Sequence, residues 1–163
     1  ILNSAGIERF PQYHFDMVRL GIGLHGISAT HANLQPVSSF KTYISSIRNV
    51  PEGQSIGYGR KSYTTRSSRI AVIPVGYADG LNRHLSNRVG NVFIKGKRVP
   101  IIGNICMDTC MIDITGIDAR EGDTVTIFGD GATVIEMAEA LGTIPYEIMT
   151  SVSTRVKRVY TKE

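Results

Sequence analysis

Short apolar runs alternate with polar turns through the middle of the chain. Residues 69–77 (RIAVIPVGY) are mostly apolar and break at the turn tripeptide Ala78-Asp79-Gly80, which predicts a buried strand that ends at a turn. Residues 90–103 (GNVFIKGKRVPIIG) predict a β-hairpin with Lys95-Gly96-Lys97 at its tip. The hairpin leads directly into residues 104–108 (NICMD). These patterns indicate a β-rich domain.

Further strands are predicted on both sides of this region. Residues 37–47 alternate between apolar and polar positions, which predicts one long strand with one face toward solvent. Residues 124–128 and residues 155–160 predict two more strands, the second close to the end of the chain.

Two short helices are also predicted. Residues 133–136 (TVIE) fit a capping box, in which the Thr hydroxyl and the Glu carboxylate satisfy the first free amides of a helix. An apolar stripe then runs to Leu141, and Gly142 is a suitable stop. Residues 144–149 predict a second short helix, with Pro145 tolerated in its first turn.

Residues 1–30 differ from the rest of the chain. They contain a turn of small residues at 3–6, a short apolar run interrupted by charges at 15–19 and a glycine-rich strand-to-turn signal at 21–24. About thirty residues are too few to form a core of their own, so this piece is predicted to close a larger upstream domain. The glycine-rich amides could cradle an anion, although the pattern alone favours a plain turn.

Composition limits the class of protein. The chain has 163 residues, of which 42% are hydrophobic, so it can form one core, or one core plus a piece of another domain. Its formal charge of +4 is spread along the chain, apart from a basic run at residues 155–158 (RVKR), and only 7% of residues are aromatic, which argues against nucleic-acid binding. The apolar runs are short, so no membrane span or secretory signal is predicted. The sequence opens on Ile1 and not on Met, and we expect it to be a piece of a longer protein.

The two cysteines, Cys106 and Cys110, fall in a run that is expected to be extended. Four residues of extended chain place their Cα atoms roughly 13 Å apart, whereas a disulfide spans at most about 7 Å. Free thiols suit a reducing cytoplasm. A metal site would need a second pair of ligands, so two small buried side chains are the favoured interpretation.

Several short motifs occur together and in a fixed order. They lie at residues 15–23 (FDMVRLGIG), 57–59 (GYG), 76–80 (GYADG), 103–111 (GNICMDTCM) and 144–147 (IPYE). In this order and spacing the chain resembles the C-terminal portion of alanine racemases, over nearly its whole length.

The resemblance implies a mainly β fold. It is the C-terminal β-domain of the alanine racemase type, with two short helices, preceded by the closing segment of an α/β barrel of the TIM type. On this basis residues 1–30 are the terminal segment of the (β/α)8 barrel, and residues 31–163 are the β-rich domain.

The resemblance also implies a function. Alanine racemases are isomerases that interconvert L- and D-alanine with pyridoxal 5′-phosphate, and D-alanine is used in peptidoglycan for cell wall biogenesis. The chain is therefore expected to belong to a cytoplasmic homodimer whose active sites are shared between subunits, with alanine as the small-molecule substrate. The cofactor is expected to be attached through a lysine outside this chain, and neither a nucleic acid nor a membrane is an expected partner.

Racemisation removes the α-proton from one face of the substrate and returns a proton to the other, so it needs two bases and an electron sink. In alanine racemases one base is the cofactor lysine and the other is a tyrosine from the partner subunit. The resemblance places Tyr58 at the tyrosine position, where it would also contact the substrate. Because a phenol ordinarily has a pKa of about 10, such a base needs nearby cations or hydrogen bonds that favour its phenolate.

Five residues match the family's cofactor-binding positions. Arg19 matches the arginine that faces the pyridine nitrogen, and a guanidinium that keeps its proton leaves that nitrogen largely unprotonated. Ser4, the amides of Gly21 and Ile22, and Tyr146 match the positions that contact the phosphate. Without the resemblance, a lone arginine at a strand end indicates only a surface charge.

Four residues match positions around the substrate. Met107 corresponds to a residue whose backbone amide can donate to the substrate carboxylate in the partner's site, although core packing would also explain it. Tyr77, Arg83 and Ile144 correspond to positions along the substrate access corridor, and a surface turn is an equally good interpretation of Arg83.

The chain also departs from the family. His25 stands where a tyrosine is common, and Asn104 stands where an arginine is frequent, which changes the charge of the corridor. The lysine motif A-x-x-K-x-x-x-Y-G-H-G is absent from the sequence, so the chain alone is predicted not to racemise alanine. Two alternatives stay open: a non-catalytic binding or dimerisation module, and a racemase of broader amino-acid specificity.

Overall fold

The computed structural model describes residues 1–30, 33–60, 62–129 and 134–161. The chain divides into two compact units, Ile1–Ser39 and Phe40–Glu163. The first unit contains helix α1 (Ser4–Arg9) and two 3₁₀ turns, Pro11–Tyr13 and Ile22–His25.

Side-chain hydrogen bonds shape the first unit. Helix α1 begins after Asn3, because the Asn3 Oδ1 atom accepts the amide of Gly6 at 2.9 Å and so caps the helix. Glu8, on the same helix, accepts hydrogen bonds from the hydroxyls of Ser28 and Thr30, and these bonds lower its pKa to about 2. The segment that follows the second 3₁₀ turn is thereby fastened to α1.

The described part of the second unit contains nine strands and two α-helices. In chain order they are β1 (Phe40–Tyr43), β2 (Ser46–Val50), β3 (Ser55–Ile56), β4 (Ser62–Tyr63), β5 (Ser68–Ile73), β6 (Asn91–Ile94), β7 (Lys97–Ile102), β8 (Cys110–Asp113), β9 (Thr124–Phe128), α2 (Val134–Leu141) and α3 (Pro145–Ser151). Seven strands form one antiparallel sheet in the order β1-β9-β6-β7-β8-β5-β2, and β3 pairs with β4. The predicted mainly β fold with two short helices is confirmed.

The two central predictions are confirmed in outline. The first part of the apolar run forms β5, which ends at Ile73 and not at Tyr77, and residues 90–103 form the hairpin of β6 and β7. Lys95 and Gly96 at its tip have φ of 49° and 74°, and positive φ at both central residues is typical of the type I′ turn that suits a twisted hairpin. Residues 124–128 form β9 as predicted.

Residues 37–47 do not form one long strand. The chain forms β1, which pairs with β9, and then β2, which pairs with β5. The change of partner takes a single step, because the Ile44 amide donates to the Asp123 carbonyl at 3.0 Å and the Ser45 amide donates to the Val72 carbonyl at 2.9 Å. Alternation of apolar residues predicts extended chain but carries no information about which strand lies beside it.

This step curls the sheet. Strands β1 and β2 are the two outermost strands, yet only Ile44 and Ser45 separate them in the chain. The sheet must therefore curve until its two edges approach each other, and its inner face encloses the main core. Aliphatic side chains that are almost inaccessible to solvent fill that core: Ile44, Ile73, Val92, Ile94, Val99, Ile101, Ile112, Ile114, Val125 and Ile127.

A second, smaller cluster uses the opposite face of the sheet. Because side chains alternate along a strand, Ala71 and Ile73 of β5 belong to the main core, whereas Ile70 packs with Ile56 and Ile102. This cluster attaches β3, and the turn that follows it, to the outside of the sheet.

Residues 155–160 contain no strand, so that prediction is wrong. The Arg158 guanidinium instead donates to the backbone carbonyls of Val152, Ser153 and Val156, at 3.0 to 3.2 Å. These hydrogen bonds occupy backbone carbonyls of the same segment, so the segment does not pair with a neighbouring strand.

Both predicted helices are present. Helix α2 ends at Leu141, followed by Gly142 with φ of 65°, and α3 begins at Pro145. Thr133 of the predicted capping box lies outside the described residues, and the Glu136 carboxylate binds the Arg98 guanidinium at 2.7 Å. None of the described helices has the length and apolar character that crossing a bilayer requires.

Candidate active site

Three loops of the second unit line one open cleft of about 440 Å³. The turn between β3 and β4 contributes Tyr58, the segment between β5 and β6 contributes Tyr77 and Arg83, and the loop between β7 and β8 contributes Asn104 and Met107. The structure thus brings together in one cleft four of the residues nominated from the sequence, namely Tyr58, Tyr77, Arg83 and Met107.

Tyr58 is 78% exposed at the edge of this cleft. Its turn requires glycine, because Gly57 and Gly59 have φ of 73° and 78°, in the left-handed region that side chains disfavour. A Cβ atom on Gly57 would also lie only 2.9 Å from the Met111 Cε atom. The flanking glycines therefore hold Tyr58 in a turn that leaves its phenol exposed to solvent.

The side chain of Asn104 holds the backbone of this turn. Its Nδ2 atom donates to the Tyr58 carbonyl at 3.0 Å, and its Oδ1 atom accepts from Asn87 Nδ2 at 3.2 Å. Asn104 was noted in the sequence only for the charge that it lacks, and Asn87 was missed, because neither contact can be inferred from the local sequence.

The GYADG motif packs against the NICMD loop. The amides of Tyr77 and Ala78 donate to the carbonyls of Cys106 and Met107, both at 3.0 Å. A Cβ atom on Gly76 would lie 2.3 Å from each of those carbonyl oxygens, so only glycine allows the two backbones to approach this closely. The two motifs form one unit that fixes the position of Met107.

Arg155 joins both motifs to the C-terminal segment. Its guanidinium donates to the carboxylates of Asp79 and Asp108, each at 2.7 Å, and these hydrogen bonds raise the pKa of Arg155 above its ordinary value. Sequence reasoning missed this contact. Asp79 was treated as a turn residue and Arg155 as part of a basic run, and their separation of 76 positions hides the pairing.

The two cysteines are both free, as predicted, but the chain between them is not extended. The Cys106 amide donates to the Thr109 carbonyl at 2.9 Å, which closes a turn before β8. Cys110 is fully buried, and burial raises the pKa of its thiol to about 12. No group of His, Cys, Asp or Glu within the described ranges could hold a metal ion.

A buried carboxylate lies behind the cleft loops. The Asp113 side chain is 3% exposed and accepts hydrogen bonds from the Thr115 hydroxyl at 2.6 Å, the Thr115 amide at 3.1 Å and the Arg88 guanidinium at 3.0 Å. Burial alone would raise the pKa of Asp113, but these hydrogen bonds outweigh it and hold the pKa below its ordinary value. The group is charged in the folded protein at neutral pH.

The first unit contains four of the five residues predicted to bind a cofactor, namely Ser4, Arg19, Gly21 and Ile22. The buried Ser4 Oγ atom accepts the amides of Gly21 at 2.8 Å and Gly23 at 3.2 Å, and the Arg19 amide donates to the Leu2 carbonyl at 2.7 Å. Ser4, Arg19 and the 3₁₀ turn that begins at Ile22 thus lie in one small region of the first unit.

This region fits a phosphate group. Its amides converge on a single oxygen atom, and a hydroxyl that accepts two hydrogen bonds still has its own proton to donate. The amide of Gly21 is engaged by Ser4 and would have to exchange this partner to donate to a phosphate oxygen. His25 ends the 3₁₀ turn of this region.

Ile144 and Tyr146 lie at the start of α3 in the second unit. Ile144 is the extended residue before the helix and is 59% exposed, and Tyr146 is 44% exposed. Ile144 is not among the described residues that line the cleft, although the sequence grouped it with Tyr77 and Arg83.

Known proteins match this chain along almost all of its length. The model of the family "Alanine racemase, C-terminal domain" matches residues 37–160. An alanine racemase of Methanococcus maripaludis is 46% identical over 97% of this chain and 45% of its own length, and one of Desulfosudis oleivorans is 44% identical over 97% and 43%.

Solved structures agree. The alanine racemase of Bartonella henselae with covalently bound pyridoxal phosphate matches with a TM-score of 0.92 at 36% identity, over 98% of this chain and 46% of that one. The biosynthetic alanine racemase of Pseudomonas aeruginosa gives a TM-score of 0.90 at 36% identity, over 99% and 47%.

The chain therefore spans less than half the length of these relatives. The family model, the sequence identity and the shared fold lead to one conclusion: this chain belongs to the alanine racemase family and contains its C-terminal domain.

Proposed function

We propose that this chain is the C-terminal part of a pyridoxal-phosphate-dependent enzyme that interconverts L- and D-alanine, and that Tyr58 is one of its two bases. The observation that carries the proposal is the placement of Tyr58. Its phenol is exposed on a glycine-flanked turn, in the same cleft as Arg83 and Met107. Pyridoxal phosphate, when bound, supplies the electron sink that makes the α-proton of an amino acid acidic.

The chain's own residues move the proton and hold the substrate. The Tyr58 oxygen takes the proton from one face of the α-carbon, or returns it to that face in the reverse direction. The Met107 amide donates to the substrate carboxylate, and the positive charge of Arg83 attracts that carboxylate toward the cleft. Tyr77 and Ile144 restrict access to small side chains.

A second set of residues holds the cofactor. Ser4, the amides of Gly21 and Ile22, and the Tyr146 hydroxyl bind the phosphate, and Arg19 keeps the pyridine nitrogen largely unprotonated. The placement of Ser4, Gly21 and Arg19 in one small region of the first unit supports this assignment. The cofactor lysine belongs to a part of the protein outside this chain.

The active site is shared between two copies of the protein. Residues 1–30 are the last segment of a (β/α)8 barrel, and the β-domain, residues 31–163, covers the barrel mouth of the partner subunit. The exposure of Phe15 and Met17, 84% and 66%, supports the barrel assignment, since these side chains need a neighbour outside the described residues. The free thiols support a cytoplasmic location.

The test is Tyr58→Phe in the full-length dimeric protein, which removes the proton-carrying oxygen and little else. We expect kcat to fall by roughly 10²- to 10⁴-fold in both directions, the usual contribution of a general base. Tyr63→Phe is the matched control, because Tyr63 lies on β4 of the same hairpin and is 54% exposed, yet does not line the described cleft. Unchanged racemisation by Tyr58→Phe would refute the assignment of Tyr58 as a base and favour a non-catalytic, dimerising role for the β-domain.

A further inference from the structure

The turn that carries Tyr58 has little support of its own. Strands β3 and β4 contain only two residues each. In the turn between them, Gly57 and Gly59 have positive φ, and the side chain of Tyr58 is exposed to solvent. Arg60 continues the left-handed backbone with φ of 47°. A two-residue hairpin does not by itself fix the position of a phenol.

A hydrogen bond from Asn104 holds the backbone of this turn in place. Its amide donates to the Tyr58 carbonyl at 3.0 Å while its oxygen accepts from Asn87 at 3.2 Å. An amide has one donor end and one acceptor end, so the Asn87 contact determines which end of Asn104 faces Tyr58. A carboxylate or an aliphatic side chain at this position could not make the same pair of bonds.

Asn87 is itself held rigidly. Asn87 and Arg88 have φ of 56° and 70°, two consecutive left-handed residues that are not glycine. Such a backbone persists only where its surroundings determine it. Here the Asn87 amide donates to the Gly103 carbonyl at 3.0 Å and the Arg88 amide to the Ile101 carbonyl at 2.7 Å.

The contacts that hold Asn87 and Arg88 continue into the interior of the domain. The Arg88 guanidinium binds the buried Asp113 carboxylate at 3.0 Å, and the nearby Ser86 hydroxyl accepts the Ile105 amide at 3.0 Å. A continuous series of contacts therefore runs from a buried charge through Arg88, Asn87 and Asn104 to the backbone of Tyr58.

We propose that Asn104 is the positioning residue of the Tyr58 base, oriented by Asn87, and that it acts through the Tyr58 carbonyl and not through the charge of the access corridor. The inference rests on the proposed role of Tyr58. Asn104 contacts neither the substrate nor the cofactor in this assignment. It sets the distance between the phenol and the α-carbon.

The test must distinguish the proton transfer made by Tyr58 from the proton transfer made by the other base. The equilibrium constant of alanine racemisation is one by mirror symmetry, so any variant lowers kcat/KM equally for both enantiomers, and rates alone do not show which base is affected. The α-deuterium kinetic isotope effect, measured for each enantiomer, shows which base is affected. When the Tyr58 step becomes slower, the isotope effect rises for the enantiomer that Tyr58 deprotonates and falls for the other one.

We expect Asn104→Ala in the full-length enzyme to lower kcat about 10-fold or more, because a displacement of the order of 1 Å can cost about 100-fold in rate. The isotope effects of the two enantiomers should change in opposite directions. Asn104→Asp should behave in the same way, since a carboxylate cannot donate to the carbonyl, and Asn87→Ala should give a smaller change of the same sign. Asn49→Ala, at an exposed position on β2, is the control.

The outcomes separate the two proposals. If Asn104→Ala lowers kcat but leaves both isotope effects unchanged, the variant has only lost active protein, and the positioning role is overturned. Wild-type kcat and isotope effects in Asn104→Ala would overturn it as well. If Tyr58→Phe is inactive in the same assay, the role of Tyr58 stands even when that of Asn104 fails. If Tyr58→Phe is fully active, the role of Tyr58 as a base fails, and the positioning role of Asn104 fails with it.

Discussion

The replacement Asp113→Asn tests the buried support behind the cleft, because it removes one charge and keeps the size of the side chain. The asparagine oxygen can still accept from Thr115, but its amide would face the Arg88 guanidinium, donor against donor. The loss is one charge-assisted hydrogen bond, worth roughly 1.5–3 kcal/mol. Arg88 is 52% exposed and keeps its contacts with water, so we expect a loss of about 2 kcal/mol at neutral pH.

The effect of this replacement depends on pH with a definite sign. The folded-state pKa of Asp113 is lowered, whereas an unfolded aspartate has a pKa of about 3.9. The folded protein then binds fewer protons than the unfolded chain, so the stabilisation is complete above the unfolded pKa and is lost as pH falls through the folded pKa. The stability difference between wild type and Asp113→Asn should be constant from about pH 8 to 5 and shrink below about pH 4.

Equilibrium unfolding in urea measures this difference. The chain has no tryptophan, so far-ultraviolet circular dichroism is the signal of choice. Asp118→Asn is the control, because Asp118 is exposed and, among the described residues, only its backbone carbonyl is engaged, by Lys95 at 3.0 Å. Its unfolding free energy should change by less than about 0.5 kcal/mol. A difference for Asp113→Asn that stays the same down to pH 3 would refute the reasoning.

Two further predictions concern the loop that carries Met107. Gly76→Ala should lower the free energy of unfolding by about 2 kcal/mol or more, because the added Cβ atom would lie 2.3 Å from the Met107 carbonyl oxygen, and a wild-type melting temperature would contradict this. A disulfide reagent should modify Cys106 in the folded chain and reach Cys110 only after unfolding, since burial raises the Cys110 pKa to about 12; equal reaction rates of the two thiols would contradict this.

The local sequence pattern was sufficient to predict those elements that depend only on neighbouring residues. The β6–β7 hairpin follows from Lys95-Gly96 between apolar runs, and α3 follows from Pro145 in a first turn. The exposed phenol of Tyr58 follows from its two glycines.

Contacts between distant parts of the chain were not predictable in this way. Nothing in residues 37–47 shows that the strand changes partners after Ile44, because both halves have the same alternation. Arg155 binds Asp79 and Asp108 from 76 and 47 positions away, so it resembled any basic residue near a chain end. Family resemblance nominated Tyr58 and Met107, but not the Asn104 amide that holds the Tyr58 turn.

The two-residue connection between β1 and β2 also bears on aggregation. Outer strands expose unpaired amides and carbonyls that can recruit another molecule, and proteins usually keep such strands short. Here the outer strands have four and five residues, and the Glu121 carboxylate accepts the Ile47 amide at 3.0 Å. Proteolytic cleavage between Ile44 and Ser45 would leave β1 paired with β9 and β2 paired with β5, but it would remove the covalent link that keeps the two outer strands of the sheet close together.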